Sequence, residues 1–215
     1  MTHWTIDQTK ILSESEIAAV LADLKRRARR SVNSRMNLTI FRLATCCGLR
    51  VSELIGLRVG DLRVGLRRPY INVPSAVAKR HKGRRVPLWW DQGTLDDLTA
   101  WRDLRTGQGA TAGDPFICSQ ARRSLGRPID RQNARMRFKA ACRALGAERV
   151  AELTIHHGRH SFVSHALKKR SLAEVRDAAG HSNIATTSIY AHVATADDGM
   201  GDLFAFGATR TREVV

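Results

Sequence analysis

The segment GHSNIATTSIYAH, residues 180–192, combines two side chains that could act together on a phosphate ester. His181 precedes Tyr190 by nine residues, and Tyr190 is one of only two tyrosines in the chain. A tyrosine hydroxyl can act as a covalent nucleophile, and a histidine can transfer a proton. The pair alone is weak evidence, because a tyrosine on a helix more often fills space in the core.

Cutting a DNA strand without a metal ion requires a nucleophile, cations against the phosphate oxygens and a proton donor for the departing sugar oxygen. Guanidinium groups suit the second task because they bind two oxygens at once. The segment GLRVSEL carries Arg50 and, three residues later on the same helix face, Glu53. A surface ion pair explains this spacing more often than an active site does.

The segment TIHHGRHSF holds His156, Arg159 and His160. His156 and Arg159 lie across a predicted helix N-terminus, where phosphate binds readily. A polar helix cap is the structural alternative. A zinc site on His156 and His160 is disfavoured, because Arg159 lies between them and no glutamate occupies the second motif position. No third ligand is evident, and we predict that the segment holds no metal.

Charge favours a nucleic-acid partner. The 215 residues carry a formal net charge of +16, and the basic clusters alternate with apolar periodic segments, as in a folded domain with a basic surface. A general bias toward arginine is the alternative. No apolar run reaches the ~18 residues that span a bilayer, and the N-terminus lacks the layout of a signal peptide. We therefore predict a cytoplasmic, nucleoid-associated protein without a membrane segment.

Apolar periodicity predicts a mainly α fold with a small antiparallel β-sheet (α+β). Ser13 and Glu16 have the spacing of a capping box at the first helix. The β-prone segments YINV and RRVPLWW flank the basic stretch AKRHKG and predict a hairpin with basic residues near its turn. QGATAGDPF predicts a flexible loop. Further helices are predicted over residues 37–47, 51–58, 94–107, 130–145, 158–170, 172–180 and 183–193.

The cysteines follow neither a metal-binding nor a disulfide pattern. An adjacent pair and two scattered residues differ from the spacing of a CxxC site. We expect free thiols in a reducing compartment, at Cys46, Cys47, Cys118 and Cys142.

Taken in order, an arginine, a hairpin lysine, His-x-x-Arg, Gly-His and a tyrosine resemble the pattern of the tyrosine recombinases, of the phage-integrase and Xer type. The segments ATCCGLRVSELIGLRVGDL, RRVPL, IHHGRHSFVSHAL and AGHSNIATTSIYAHV each resemble the corresponding motif of that family. The resemblance covers residues 12–195. It implies the fold of a recombinase catalytic domain, double-stranded DNA as the partner, and catalysis without a cofactor.

The resemblance implies a role for each motif residue. Arg50 and Arg159 would hold the scissile phosphate, while His156 and His181 would be the two active-site histidines. Tyr190 would attack phosphorus, form a 3′-phosphotyrosyl bond and release a 5′-hydroxyl. An unperturbed tyrosine has a pKa near ~10, and we expect the arginine pair and His156 to help it lose its proton.

Supporting residues follow from the same resemblance. Glu53 occupies the acidic position that orients its neighbours. The general acid would be a hairpin lysine, Lys79 or Lys82, and the family's usual spacing to Pro87 favours Lys79. The remaining predicted DNA contacts are basic residues of the hairpin and of the helix near residue 131: Arg80, Lys82, Arg84, Arg85, Arg131 and Arg135.

One residue departs from the family pattern next to the second arginine. Gly158 stands where the family usually has leucine. A glycine in a helix costs about 1 kcal/mol relative to alanine, and we expect it to leave a gap in the packing.

Domain boundaries are expected at residues 1–11 for an extension, 12–195 for the catalytic domain and 196–215 for a tail. Most of the family carries a helical domain ahead of the catalytic one, so the chain is expected to be a fragment or a short natural form without that core-binding domain. Phe204 and Phe206 of the tail would pack on a neighbouring protomer, as in the family's tetramers on DNA, or on their own core.

The favoured function is a site-specific DNA recombinase of the integrase type, acting in DNA recombination and integration of a mobile genetic element. A homo-oligomer is expected on DNA, with or without a partner recombinase. Two alternatives are retained: a non-catalytic DNA-binding regulator with the same fold, and a type IB topoisomerase-like activity. The intact set of motif residues favours the enzyme.

Overall fold

Reciprocal hydrogen bonds at Ser13 and Glu16 begin the first helix. In a computed structural model that describes residues 7–78 and 82–191, Ser13 Oγ accepts from the Glu16 amide at 3.1 Å. Glu16 Oε2 accepts from the Ser13 amide at 2.7 Å. The predicted capping box is therefore confirmed.

The described residues form nine α-helices and three short strands, so the predicted mainly α fold with a small antiparallel sheet is confirmed. The helices are α1 (Glu14–Ala28), α2 (Val32–Phe41), α3 (Val51–Gly56), α4 (Gln92–Gly107), α5 (Arg131–Ala141), α6 (Ala147–Glu152), α7 (Ile155–Leu167), α8 (Leu172–Ala179) and α9 (Ala185–Ser188). Helix α6 was not predicted. None of the described helices is long and apolar enough to cross a bilayer.

Helix α2 begins earlier than predicted and continues into a π-helical turn. Ser31 caps its N-terminus by accepting from the Ser34 amide at 3.3 Å. The π turn covers Arg42–Cys46, and Gly48 follows with φ of 64°. That backbone conformation suits glycine because it lacks a Cβ. The chain then turns directly into α3, with Arg50 as its N-cap residue.

The sheet consists of β1 (Leu62–Arg63), β2 (Tyr70–Val73) and β3 (Arg84–Pro87), in the order β1-β2-β3. The predicted hairpin is formed by β2 and β3, which pair antiparallel. Ile71, Val73 and Val86 point inward and are fully buried. Residues 79–81 lie outside the described part, and with them the predicted roles of Lys79 and Arg80.

Helix α7 packs so closely against the π turn that the absence of a side chain at Gly158 leaves no gap. A Cβ built on Gly158 would lie 2.8 Å from Thr45 Oγ1 and 3.2 Å from the Ala44 carbonyl carbon. The expected gap was wrong, because the two backbones approach each other and a side chain at residue 158 would crowd Thr45 and Ala44. This contact joins the helix that carries Arg159 to the segment that leads into Arg50.

The segment predicted as a flexible loop, residues 108–116, is bonded to the turn after α3. The amides of Val59 and Gly60 donate to the carbonyls of residues 114 and 112, each at 2.9 Å. The Phe116 amide donates to the Leu57 carbonyl at 2.9 Å. The tail predicted at residues 196–215, with Phe204 and Phe206, lies outside the described residues.

Candidate active site

A buried carboxylate forms the centre of the site. The Glu53 side chain is 0% exposed and receives four hydrogen bonds, each of 2.8 Å. Arg84 Nη1 and Nη2 donate to its two oxygens, and Arg50 donates from Nη1 and from its backbone amide. Burial alone would raise the pKa of Glu53, but the hydrogen bonds from Arg84 and the charges of both arginines outweigh it and lower the pKa to about 2.

Three arginines from different elements converge on the C-terminus of α8. The consecutive carbonyl oxygens of residues 178, 179 and 180 have no partner inside a helix that ends here. Arg84 Nε donates to the first at 2.8 Å, Arg159 Nη2 to the second at 2.6 Å and Arg50 Nη2 to the third at 3.2 Å. The negative end of the helix dipole favours these cations. We call Arg50, Glu53, Arg84 and Arg159 the arginine network.

Arg159 is the most enclosed cation of the network. It is 7% exposed, and its Nη1 donates to the Gly48 carbonyl at 2.5 Å. Burial and the nearby charges of Arg50 and Arg84 lower the pKa of Arg159 to about 9. The guanidinium therefore stays charged at neutral pH, and its hydrogen bonds tie α7, α8 and the loop before α3 together.

His181 follows directly on the end of α8. Gly180 takes the left-handed conformation with φ of 67°, which ends the helix and turns the chain toward α9. His181 Nδ1 lies 2.9 Å from Thr187 Oγ1. Burial and the charges of Arg159 and Arg50 lower the pKa of His181 to about 3. The imidazole is therefore neutral at physiological pH.

Tyr190 lies between two histidine rings. Its ring centroid is 6.3 Å from that of His181 and 5.8 Å from that of His160. The Tyr190 hydroxyl and His160 Nδ1 are 2.7 Å apart, which is hydrogen-bond distance. Tyr190 is 6% exposed, and burial raises its pKa while the charge of Arg159 acts in the opposite direction. We call His160, His181 and Tyr190 the tyrosine–histidine cluster.

His160 was considered from sequence only as a zinc ligand, yet it is the histidine in contact with the Tyr190 hydroxyl. Helix periodicity places residues 156 and 160 on one face, but it cannot show where a tyrosine thirty residues later will pack. His156 is exposed at the start of α7. Partial desolvation and the charges of Arg135, Arg159 and Arg50 lower the pKa of His156.

An open pocket of about 640 Å³ adjoins both groups. His181, Arg50 and Lys82 contribute to its wall, so the structure places Lys82 close to the site, while Lys79 is not described. The full lining is basic and rich in small residues: Arg50, Lys82, Gly83, Arg84, Arg85, Arg176, Asp177, Gly180, His181, Ser182 and Thr186. Such a surface suits a phosphate backbone.

Arg84 was predicted as a DNA contact, and the structure places it differently. Its side chain is 7% exposed, and all three guanidinium nitrogens donate within the protein, to Glu53 and to the Ala178 carbonyl. The buried carboxylate needs this countercharge, so Arg84 acts inside the network. Strand alternation predicts this inward orientation, because Arg84 lies two residues before the buried Val86 and therefore on the same face of β3.

The other predicted DNA contacts lie on the surface wherever they are described. Arg85 is exposed, and its guanidinium carbon lies 4.8 Å from the centroid of the Tyr70 ring. Arg131 and Arg135 are exposed along α5. The four cysteines are free thiols. Within the described ranges, no three His, Cys, Asp or Glu side chains are placed to share a metal ion.

The fold agrees with comparisons to known proteins. The chain belongs to the phage integrase family, whose family model matches residues 10–197. The tyrosine recombinase XerC of Stutzerimonas stutzeri is 36% identical over 163 residues, which cover 74% of this chain and 49% of the relative. XerC of Herpetosiphon aurantiacus is 34% identical over 148 residues, covering 68% and 44%.

A solved structure shows the same fold. The XerH site-specific recombinase, bound to its palindromic difH substrate in a post-cleavage complex, matches with a TM-score of 0.68 and 22% identity, over 88% of this chain and 51% of that one. The chain spans about half the length of the curated relatives it matches.

Proposed function

We propose that this chain is the catalytic domain of a site-specific DNA recombinase that cuts and rejoins strands through a 3′-phosphotyrosyl bond at Tyr190. The observation that carries the proposal is the convergence at the end of α8. Arg50 and Arg159, from distant segments, both donate to carbonyl oxygens there. His181 follows the same helix end, and its ring stacks on that of Tyr190. A DNA-binding regulator needs no such arrangement around a tyrosine.

The chemistry follows from the groups present. Charge that develops on the phosphate oxygens during attack would be stabilised by arginines held in place beforehand. Arg50, with a side chain 21% exposed, lines the pocket. Tyr190 attacks phosphorus, the 5′ oxygen leaves with a proton from the hairpin lysine, Lys79 or Lys82, and the phosphotyrosyl bond conserves the energy of the phosphodiester. A 5′-hydroxyl from another strand reverses the step, so no cofactor is required.

The partners belong to the same proposal. Double-stranded DNA fits the net charge of +16 and the exposed Arg85, Arg131 and Arg135. A homo-oligomer on DNA, with four protomers, would bring two duplexes together for exchange, with a partner recombinase where the two halves of a site differ. Such a protein would work on nucleoid DNA in the cytoplasm.

Covalent trapping tests the proposal. Labelled DNA from the region flanking the gene, nicked so that the leaving strand diffuses away, is mixed with the protein in EDTA and separated on a denaturing gel. We expect a covalent band with the wild type and none with Tyr190→Phe. Tyr70→Phe is the matched control, because it changes the other tyrosine of the chain and leaves the band. A band that survives in Tyr190→Phe would refute the nucleophile.

A second assay separates the recombinase from a topoisomerase. The wild type is incubated either with two DNA duplexes of different length or with one supercoiled plasmid. Exchange of strands between the duplexes supports the recombinase. Relaxation of the plasmid without exchange would favour the topoisomerase alternative, and salt-sensitive binding without any covalent band would favour the regulator.

A further inference from the structure

The Tyr190 hydroxyl must lose its proton before it can attack, and its neighbours differ in their ability to accept it. His160 Nδ1 lies 2.7 Å from the hydroxyl oxygen, and the two rings are stacked. His181 presents a ring face to Tyr190, while its Nδ1 is engaged with Thr187. His156 is exposed at the start of α7. Geometry therefore favours His160 over the two histidines of the family motif.

The protonation state of His160 is set by its surroundings. Burial and then the charges of His157, His156, Arg159 and Lys10 lower the pKa of His160 to about 4. His181 and Tyr190 also face it. At physiological pH the imidazole is therefore neutral and has one nitrogen free to accept a proton.

Binding of a phosphodiester would change this balance. The positive groups around His160 oppose a further positive charge on it while no anion is present. A phosphate held by Arg50 and Arg159 would offset those charges, which favours the imidazolium and raises the pKa of His160. His160 would therefore become a stronger base when DNA occupies the site. The positive charges of Arg50 and Arg159 would at the same time stabilise the negatively charged Tyr190 phenolate.

We propose that His160 is a further catalytic residue, which accepts the Tyr190 proton through Nδ1. The inference rests on the proposed function. In the step, the Tyr190 O–H bond breaks, its proton goes to His160 Nδ1, and the phenolate oxygen bonds to phosphorus. The bond from phosphorus to the 5′ oxygen breaks, and that oxygen takes a proton from the hairpin lysine. In the joining step each proton returns.

A measurement on the wild-type protein without DNA tests the hydrogen bond independently of activity. Nitrogen NMR of ¹⁵N-histidine-labelled protein at pH 7, assigned with His160→Gln, reports which ring nitrogen carries the proton. We expect an unprotonated Nδ1 that accepts from Tyr190, and a shift of that signal in Tyr190→Phe. A proton on Nδ1 would make His160 the donor and would overturn the inference.

Single-turnover cleavage of the nicked DNA tests the chemical role. We expect His160→Gln to slow formation of the covalent band by about 10²–10⁴-fold and to leave DNA affinity unchanged. The wild-type rate should rise with pH along an acid limb that the variant lacks. His157→Gln is the matched control on the same helix, because glutamine keeps the capping-box position; it should keep the acid limb and cleave far faster than His160→Gln.

The outcomes separate the two proposals. No covalent band with the wild type would defeat the proposed function itself. A band of wild-type rate in His160→Gln would leave that function intact and remove His160 from the chemistry. A faster band in the variant would also overturn the inference, because it would mean that His160 only restrains Tyr190.

Discussion

The arginine network and the tyrosine–histidine cluster adjoin each other at the end of α8 and are held by different forces. The network joins a fully buried carboxylate to Arg50 and Arg84 through four hydrogen bonds of 2.8 Å, all involving charged groups. The cluster consists of neutral side chains with one hydrogen bond of 2.7 Å at the Tyr190 hydroxyl and two stacked ring contacts. His160 lies on α7, while His181 and Tyr190 flank α9, a helix of only four residues.

The difference matches the tasks of the two groups. Cations that stabilise developing charge are most effective when they need no rearrangement during the reaction. A nucleophile must form a bond to phosphorus and later release it, so many fixed contacts would hinder it. The molecule therefore places its strong interactions behind the phosphate-binding groups and leaves the nucleophile with few.

Removing the central carboxylate should produce the largest loss of stability. Glu53→Gln keeps the shape but turns an amide toward two arginines and leaves buried charge uncompensated, so we expect a loss of about 3–5 kcal/mol in the free energy of unfolding. Tyr190→Phe removes one hydrogen bond and should cost only about 0.5–1.5 kcal/mol. Urea denaturation of both variants measures the contrast. Equal losses would show that the two groups do not differ in rigidity.

Arg84 and Arg85 offer a smaller test within the network, because they are neighbours on β3 with opposite orientation. Arg84→Lys keeps the charge but loses the two-pronged contact with Glu53 and the bond to the Ala178 carbonyl. We expect it to lower the free energy of unfolding by about 1–3 kcal/mol. Arg85→Lys, on the exposed face, should change it by less than about 0.5 kcal/mol.

The rate of covalent trapping would show whether Arg84 positions Arg50 as well as stabilising the fold. Under conditions where both variants are fully folded, Arg84→Lys should slow covalent trapping, because Arg50 would no longer share a fixed carboxylate. Arg85→Lys keeps the positive charge that would face DNA, and at saturating DNA it should trap at the wild-type rate. Trapping by Arg84→Lys at the wild-type rate would limit Arg84 to a structural role.

How much of this could be read from sequence depends on whether a contact is local. The mainly α fold, the capping box and the β2–β3 hairpin follow from periodicity and short-range motifs, and each is confirmed. Arg50, Arg159, His181 and Tyr190 were found through the order of motifs, and the structure brings them together. The contact of His160 with Tyr190 was missed, because it depends on where the residues that follow α9 lie against α7.

The wrong expectation for Gly158 and the unexpected burial of Arg84 each have a physical cause. Arg84 was grouped with exposed basic residues by its charge, although strand alternation predicts that it faces inward with Val86. Gly158 was expected to leave a gap, because the missing side chain was considered without the closeness of the neighbouring backbone. The close approach of α7 to the π turn depends on tertiary packing, which no local pattern describes.

The last and smallest effect is that the histidines and Glu53 change the stability of the fold in different pH ranges. The folded-state pKa of His160 is lowered to about 4 and that of His181 to about 3, from 6.5. As pH falls below 6.5, the unfolded state therefore takes up protons first, and stability falls until the folded-state values are reached. The pKa of Glu53 is lowered from 4.5 to about 2, so its contribution is complete above 4.5 and is lost only as pH falls toward 2.

The interval between pH 6.5 and 5 therefore reports on histidines and leaves the carboxylate of the arginine network untouched. Going from pH 7 to pH 5.5, we expect the wild type to lose stability and His160→Gln to lose less, by up to about 1 kcal/mol. His156 and His157 shift in the same direction, so the comparison with the variant isolates His160. Parallel pH curves would mean that His160 is as accessible to protons in the folded chain as in the unfolded one, and that Tyr190 is held less tightly than its hydrogen bond indicates.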